Sequence, residues 1–236
     1  MKIHVAGENS LILYFGEQAS AEVAANVYAA NIAIREQLAD VIIDLVPSYA
    51  SLLVIFDAYK CDHLQLRERL AETVKGADAC QDEGSALVTL PVYYSSESGP
   101  DLSLIAQRSG LSPEEIIALH QAEEYRVYAI GFAPGFAYLG QVDERIASPR
   151  IATPRVYVPK GAVGIADRQT AVYPASSPGG WNLIGLCPVP MFTPQGDSLM
   201  PVEVGDRVRF KGISREEYVA MGGEFDERFV QQEAGS

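Results

Sequence analysis

Three short segments combine glycine with residue types that bind ligands or partners. Residues 131–140 (GFAPGFAYLG) and 176–181 (SSPGGW) place aromatic rings beside glycines, and residues 158–161 (VPKG) place a lysine beside a glycine. Glycine lets a backbone approach another surface closely, aromatic rings offer flat apolar contacts, and a cation beside free N–H groups can hold an anion. These segments are therefore either the corners of a barrel or the walls of a ligand site.

Three polar side chains stand in otherwise apolar surroundings. His120 ends a predicted helix, where its imidazole is able to act as a general acid or base near neutral pH, although a lone histidine is also a common structural residue. Gln169 and Thr170 interrupt an apolar strand pattern. They either face a pocket or satisfy buried backbone groups.

Several enzyme classes have signatures that this sequence lacks. It contains no GxxxxGKS/T phosphate cradle, no GxSxG nucleophile turn and no HExxH zinc motif. Its 3 histidines, His4, His63 and His120, lie far apart in the sequence. We therefore expect no metal bound by this chain.

The composition is that of a soluble globular protein with a strongly acidic surface. Of the 236 residues, 48% are hydrophobic and 21% are charged, and the formal net charge is −13. Such a surface repels phosphate backbones, so we expect no nucleic-acid partner, and no apolar run reaches the ~20 residues of a membrane helix. The cysteines Cys61, Cys80 and Cys187 are odd in number and widely spaced, which argues against a disulfide framework and indicates a cytoplasmic protein.

The first part of the chain alternates between strand and helix periodicity. Apolar strands are predicted at residues 10–15, 41–46, 51–56 and 86–92, and helices at 19–38 and 62–74. The resulting βαββαβ order is that of a ferredoxin-like module. We therefore predict a ferredoxin-like domain over residues 1–95.

Two short helices and then a region rich in proline follow. Residues 96–124 contain the helices, the second with Ser112 as N-cap and Glu115 completing a capping box, and we expect them to connect two domains. Frequent proline and glycine after residue 125 leave only short apolar runs, which are typical of a β-barrel or sandwich. The predicted fold class is α+β, with a C-terminal β-barrel over residues 125–236.

Taken together, the motifs resemble those of one family. The segments LPVYY, LSPEEIIALHQAEEYRVYAIGFAPGFAYLG, VPKGAVGIADRQTAVYP and SPGGWNLIG occur in this order and are similar to the family of the 5-oxoprolinase B subunit. That family includes proteins labelled allophanate hydrolase subunit 1 and an inhibitor of a sporulation histidine kinase. The resemblance implies a ferredoxin-like N-terminal domain followed by a cyclophilin-like β-barrel.

The resemblance also implies a function. The family's bacterial complex is a hydrolase that uses ATP to cleave the cyclic amide 5-oxo-L-proline to L-glutamate. The complex also contains a carboxylase-related C subunit, which is the expected partner of this chain, and a third subunit, A. Because this chain has no nucleotide cradle, we expect ATP to act at the level of the complex and the chain alone to be inactive. The alternative is a regulatory protein that docks Phe132, Phe136, Tyr138 and Trp181 on a sensor histidine kinase.

Matching motifs carry the family's positions onto this chain, and their roles are inferred. We interpret His120, Arg155 and Gln169 as catalytic polar groups that converge on a pocket at the barrel face. The expected substrate-binding or interface residues are Phe132, Gly135, Tyr138, Lys160, Gly161, Thr170, Tyr173, Gly179, Gly180 and Trp181. The chain departs from the family at Lys160, where a small residue is usual, and at Leu186, where arginine is usual. These departures indicate either a relocated anion contact or a changed partner or substrate.

Overall fold

The computed structural model describes residues 1–17, 20–77, 86–195 and 198–226. Contacts within the chain group these residues into two compact units, with the division between residues 85 and 86. Each unit has a buried apolar core of its own, so each is described by itself.

The first unit is an antiparallel sheet that shares its apolar core with two helices. The bounds are β1 Lys2–Gly7, β2 Ser10–Tyr14, α1 Ala21–Gln37, β3 Ile42–Pro47, β4 Ser51–Phe56 and α2 His63–Lys75. The strands pair in the order β1-β2-β4-β3. In β4, the buried side chains of Leu52, Val54 and Phe56 alternate with half-buried ones, so one face of the sheet is apolar and covered by the helices. An Asp62 capping box begins α2.

The order of elements in this unit differs from the predicted βαββαβ. Strand β1 precedes the strand that was expected first, and its pattern is weak because Ile3 is its one buried residue. The strand expected to complete the sheet, at residues 86–92, does not belong to it. The observed order is ββαββα, and the ferredoxin-like domain is not confirmed.

The second unit is a closed β-barrel with a separate strand pair. Its described strands are β5 Leu87–Tyr93, β6 Tyr125–Ile130, β7 Ala137–Gly140, β8 Arg155–Val158, β9 Ala162–Ala166, β10 Gln169–Val172, β11 Ser177–Gly179, β12 Asn182–Leu186 and β13 Arg207–Ile213. The barrel closes in the order β10-β7-β6-β13-β5-β12-β9, and β8 pairs with β11. The predicted C-terminal β-barrel is therefore confirmed.

Strand β5 is the strand that the sequence pattern assigned to the first domain. It pairs in parallel with β13 over its whole length, and its Leu90 and Val92 belong to the core of the barrel. The assignment was wrong because the apolar pattern of a strand does not indicate which sheet it joins. Here the partner lies near the far end of the sequence, where local pattern analysis cannot detect it.

Two of the helices in the second unit pack on the barrel. They are α3 Leu102–Ser109 and α4 Pro113–Ala122, and a further helix, α5 Arg215–Ala220, follows β13. Leu102, Ile105 and Ile116 are buried in the same cluster as the barrel residues. The predicted Ser112–Glu115 capping box is present at the start of α4. The helices expected to connect two domains therefore share the core of the second unit.

The described residues contain free cysteines and no helix suited to a membrane. Cys61 and Cys187 are buried free thiols, and Cys80 lies outside the described residues. Within the described ranges, no helix is both long enough and apolar enough to cross a bilayer.

Candidate functional site

Five rings form an aromatic cluster on the second unit. Phe136 lies at its centre, with ring centroids 5.3 Å from Phe132, 4.8 Å from Tyr138, 5.3 Å from Tyr173 and 5.6 Å from Trp181. Phe136, Tyr173 and Trp181 are buried, whereas Phe132 is 69% exposed. Phe132 also has a φ of 70°, a conformation that non-glycine residues rarely adopt. The aromatic cluster therefore has a packed base and one ring held out to solvent.

Glycines allow close backbone approaches in this unit, and one of them, Gly179, lies against the aromatic cluster. A Cβ atom on Gly179 would lie 2.4 Å from the Oη atom of Tyr173. Gly135 and Gly161 have φ values of 83° and 82°, and a Cβ atom on either would lie 2.3 or 2.4 Å from a backbone carbonyl oxygen. Gly180 is less constrained, because its nearest contact would be an ordinary 3.6 Å.

Arg155 lies at the edge of the aromatic cluster because β8 pairs with β11. The register places Arg155 opposite Gly179. Its Nη2 atom donates to the Asp101 carboxylate at 2.9 Å, and the two side chains are only 10% and 9% exposed. The same carboxylate accepts a 2.6 Å hydrogen bond from the backbone N–H of Leu183. Asp101 thus fixes both the guanidinium and the start of β12.

Asp101 precedes α3 at the N-cap position, yet its side chain does not cap the helix. Aspartate is favoured at this position because its carboxylate usually accepts a hydrogen bond from the first turn. Here both oxygens are directed to Arg155 and Leu183 instead. The role of Asp101 could not be predicted from its N-cap position, because its two partners are distant in the chain.

The charge of Arg155 also acts on Tyr173. Burial raises the pKa of the Tyr173 hydroxyl to about 12, while a hydrogen bond from the Trp181 backbone and the charges of Arg150 and Arg155 oppose this rise. The hydroxyl is therefore protonated at neutral pH. It offers a hydrogen-bond donor among rings that are otherwise apolar.

Lys160 lies in the turn between β8 and β9 and lines a cavity of about 580 Å³, called here the Lys160 cavity. The volume falls in the range of small-molecule sites. Tyr218 and Phe225 contribute apolar walls, and Ser176 contributes a hydroxyl. Lys160, which was expected to bind a ligand, therefore lies at a concave surface. Among the described residues, no group of three or more side chains is suited to bind a metal ion.

His120 lies inside the barrel and is fully buried. Its Nε2 atom is 2.9 Å from Thr170 Oγ1, and its Nδ1 atom is 2.8 Å from Tyr94 Oη. Because the Thr170 hydroxyl donates to the Gly164 carbonyl, it must accept from His120. His120 is therefore the neutral tautomer with its proton on Nε2, and Nδ1 accepts from the Tyr94 hydroxyl.

The expectation that His120, Arg155 and Gln169 converge on one pocket is not met. Burial lowers the pKa of His120 to about 3, and both of its ring nitrogens are occupied, so it is a core residue rather than an acid or base facing a ligand. Gln169 is half-buried and precedes Thr170, so its side chain points to the opposite face of β10. Arg155 alone of the three lies beside the aromatic cluster.

The buried His120 makes the stability of the second unit depend on pH. Unfolding restores an ordinary pKa near 6.5, so between pH 6.5 and pH 3 the unfolded chain binds a proton that the folded chain does not. We expect this group to remove about 2 kcal/mol of stability between pH 6.5 and pH 5, a loss that is absent above pH 6.5. Urea unfolding of the wild type and of His120→Gln at both pH values measures the difference.

An equal pH dependence in the two proteins would contradict this account of His120. If His120→Gln does not fold, the ¹⁵N resonances of the wild-type imidazole at pH 5 provide a second measurement. They should show a protonated Nε2 and an unprotonated Nδ1, as the hydrogen bonds to Thr170 and Tyr94 require.

Sequence and structure comparisons identify the family. The sequence model of the carboxyltransferase domain, subdomain C and D, matches residues 1–202. The 5-oxoprolinase B subunit of Bacillus subtilis (strain 168) is 40% identical over 233 residues, which cover 93% of this chain and 95% of that protein. The 5-oxoprolinase B subunit of Escherichia coli O157:H7 is 37% identical over 169 residues, or 72% of this chain and 77% of that protein. The chain therefore belongs to the carboxyltransferase subdomain C and D family and, within it, to the 5-oxoprolinase B subunits.

Solved structures share the fold. The crystal structure of TTHA0988 matches with a TM-score of 0.78 and 37% sequence identity. The match covers 87% of this chain but only 40% of the TTHA0988 chain, which is therefore longer than this one. The conserved uncharacterized protein PH0987 from Pyrococcus horikoshii has a TM-score of 0.56 and 39% identity, over 92% of this chain and 100% of that one. The K. lactis urea amidolyase has a TM-score of 0.72 at 16% identity, over 98% of this chain and 17% of that one, which shows the fold alone.

Proposed function

We propose that this chain forms part of an ATP-dependent 5-oxoprolinase, as its B subunit, in the cleavage of 5-oxo-L-proline to L-glutamate. The observation that carries the proposal is the 40% identity to a 5-oxoprolinase B subunit over nearly the full length of both proteins. The names of the three curated relatives favour this enzyme-subunit hypothesis over inhibition of a histidine kinase.

The chemistry requires a site that stabilises negative charge. A five-membered lactam is a stable amide, so in this proposal ATP phosphorylates its carbonyl oxygen and ADP leaves. Water then attacks the carbon and the ring C–N bond breaks, which gives an acyl phosphate. A second water hydrolyses the acyl phosphate to glutamate and inorganic phosphate. The phosphorylated intermediate needs cations and N–H donors around its oxygens. In this proposal Arg155 supplies a cation, the turns at Gly135, Gly161 and Gly179 supply backbone groups, and the aromatic cluster forms an apolar wall, while Lys160 is a substrate-binding residue.

The proposed arrangement gives most of the remaining candidates a role. Tyr138, Tyr173 and Trp181 form the apolar wall, whereas Gln169 has no role at this wall. His120 and Thr170 support the wall from within the barrel, because their hydrogen bonds join α4 to β10. Asp101 is a positioning residue that holds Arg155 in place.

The proposal places the chain in a cytoplasmic complex with a carboxylase-related C subunit, to which a third, A subunit is added. Because the sequence has no phosphate cradle of the GxxxxGKS/T type, ATP is proposed to bind in the complex rather than to this chain alone. The curated relatives are themselves named as one subunit of a 5-oxoprolinase, which implies a larger assembly.

Co-expression with the subunits encoded beside it tests the dependence on partners. We expect this chain to elute with a partner in size-exclusion chromatography, and the chain purified alone to release no glutamate from 5-oxo-L-proline and ATP. The measured quantities are the mass of the eluting species and the glutamate concentration. Glutamate release by the isolated chain would show that the proposed need for partners is wrong.

A further inference from the structure

The Lys160 cavity carries unpaired charges of opposite sign. The ammonium of Lys160 and the carboxylate of Glu224 both line it. Both side chains are exposed, and neither forms an ion pair or hydrogen bond with another residue of the described part of the chain. A cavity with a free cation and a free anion can lower its free energy by binding a ligand that complements both.

A third charge adds to the acidic side of the cavity. The Asp226 carboxylate accepts a hydrogen bond from the Tyr157 hydroxyl, which also lies 3.0 Å from the Ser176 hydroxyl. Asp226 and Ser176 both line the Lys160 cavity. The cavity therefore has one ammonium, two carboxylates and a hydroxyl around its margin.

The rest of the Lys160 cavity is apolar and shaped by fixed groups. Tyr218 is buried, and its hydroxyl donates to the Glu224 carbonyl at 3.0 Å. Its ring packs on that of Phe225, with centroids 5.3 Å apart. A Cβ atom on Gly223 would lie 2.4 Å from the Tyr218 ring, so the Glu224 backbone is held close to this wall.

We propose that the Lys160 cavity is a binding site for a free α-amino acid. The ligand carboxylate lies at Lys160 and the ligand ammonium lies toward Glu224 and Asp226, with the aliphatic part against Tyr218 and Phe225. A simple anion is disfavoured because two carboxylates line the cavity, and a simple cation is disfavoured by Lys160. A zwitterion satisfies both sides.

L-Glutamate, the product of the proposed reaction, is the amino acid that this site would meet. That identification rests on the proposed function, whereas the class of ligand follows from the charges of the cavity alone. 5-Oxo-L-proline fits the site less well, because its lactam nitrogen carries no positive charge to place at Glu224.

Three related ligands separate the contributions of the charges. L-Glutamate carries both an ammonium and carboxylates, glutarate lacks the ammonium, and 5-oxo-L-proline has a carboxylate and a neutral nitrogen. Each is titrated into the full-length chain labelled with ¹³C at the methionine methyl groups. Met221 lines the cavity and should shift, whereas Met191 is buried in the barrel core and should not.

We expect L-glutamate to bind on the order of tenfold more tightly than glutarate or 5-oxo-L-proline, as one charged hydrogen bond allows. Lys160→Met should weaken glutamate binding about tenfold, and Glu224→Gln should weaken glutamate binding but not glutarate binding. Lys211→Met and Glu68→Gln, which change exposed charges that do not line the cavity, are matched controls.

Several results would overturn the proposal. These are equal affinity for glutamate and glutarate, an unchanged affinity in Lys160→Met, or no shift of Met221 with any of the three ligands. The failure of the proposed function is a separate result, since a complex without lactam cleavage does not alter glutamate binding to this chain. Conversely, an active complex in which this chain binds no amino acid removes this inference alone.

Discussion

Replacing Asp101 by alanine should destabilise the second unit by about 3–5 kcal/mol, the cost of breaking a buried ion pair by removing one partner. The substitution leaves the Arg155 charge buried and the Leu183 N–H without its acceptor. Urea unfolding at pH 7, followed by the fluorescence of Trp181, measures the change in the free energy of unfolding. Trp181 is the one tryptophan of the sequence and lies in this unit.

The exposed pair of Arg168 and Glu144 provides the matched control. The side chains of Arg168 and Glu144 are 46% and 78% exposed. The Arg168 Nη1 atom lies 2.8 Å from Glu144 Oε1, close to the 2.9 Å between Arg155 and Asp101. Because solvent screens this pair, Glu144→Ala should cost no more than about 1 kcal/mol. Similar losses in Asp101→Ala and Glu144→Ala would contradict the role assigned to the buried carboxylate.

Replacing Phe136 by alanine should also cost about 3–5 kcal/mol, the usual loss for a buried phenylalanine. Phe136 is 2% exposed and contacts four other rings, so the substitution leaves a cavity at the centre of the aromatic cluster. The same unfolding measurement applies. In the complex, we expect loss of turnover, because Tyr173 and Trp181 lose the ring that holds them in place.

Phe132→Ala is the control for Phe136, because Phe132 belongs to the same cluster but is 69% exposed. Its stability should stay within about 0.5 kcal/mol of the wild type, as is usual for surface substitutions. Equal destabilisation by the two substitutions would show that the cluster is not organised around Phe136.

The parts of the fold that local pattern determines were predictable. The short strands after residue 125, the helices and the Ser112 capping box follow from apolar periodicity, proline and glycine placement and cap residues. The position of β5 could not be predicted, because its partners β12 and β13 lie far along the chain and an apolar strand fits either sheet. Strand β1 was missed because a single buried side chain gives no alternation.

Part of the candidate site was predictable, because its aromatic residues and glycines occur together in short segments of the sequence. Aromatic and glycine segments pointed to Phe132, Tyr138 and Trp181, which the structure brings together around Phe136. The burial of His120 could not be predicted, because a histidine in a sequence gives no sign of burial and its hydrogen bonds to Tyr94 and Thr170 depend on tertiary contacts. Asp101 was missed for the same reason.

We propose that this chain is a required part of a 5-oxoprolinase. The most direct test is the rate of glutamate release from 5-oxo-L-proline and ATP by the purified A and C subunits, measured with and without this chain. We predict ATP-dependent release in the complete mixture and none when this chain is left out. Release at the same rate without it, or no release from a stable complex of all the subunits, would contradict the claim.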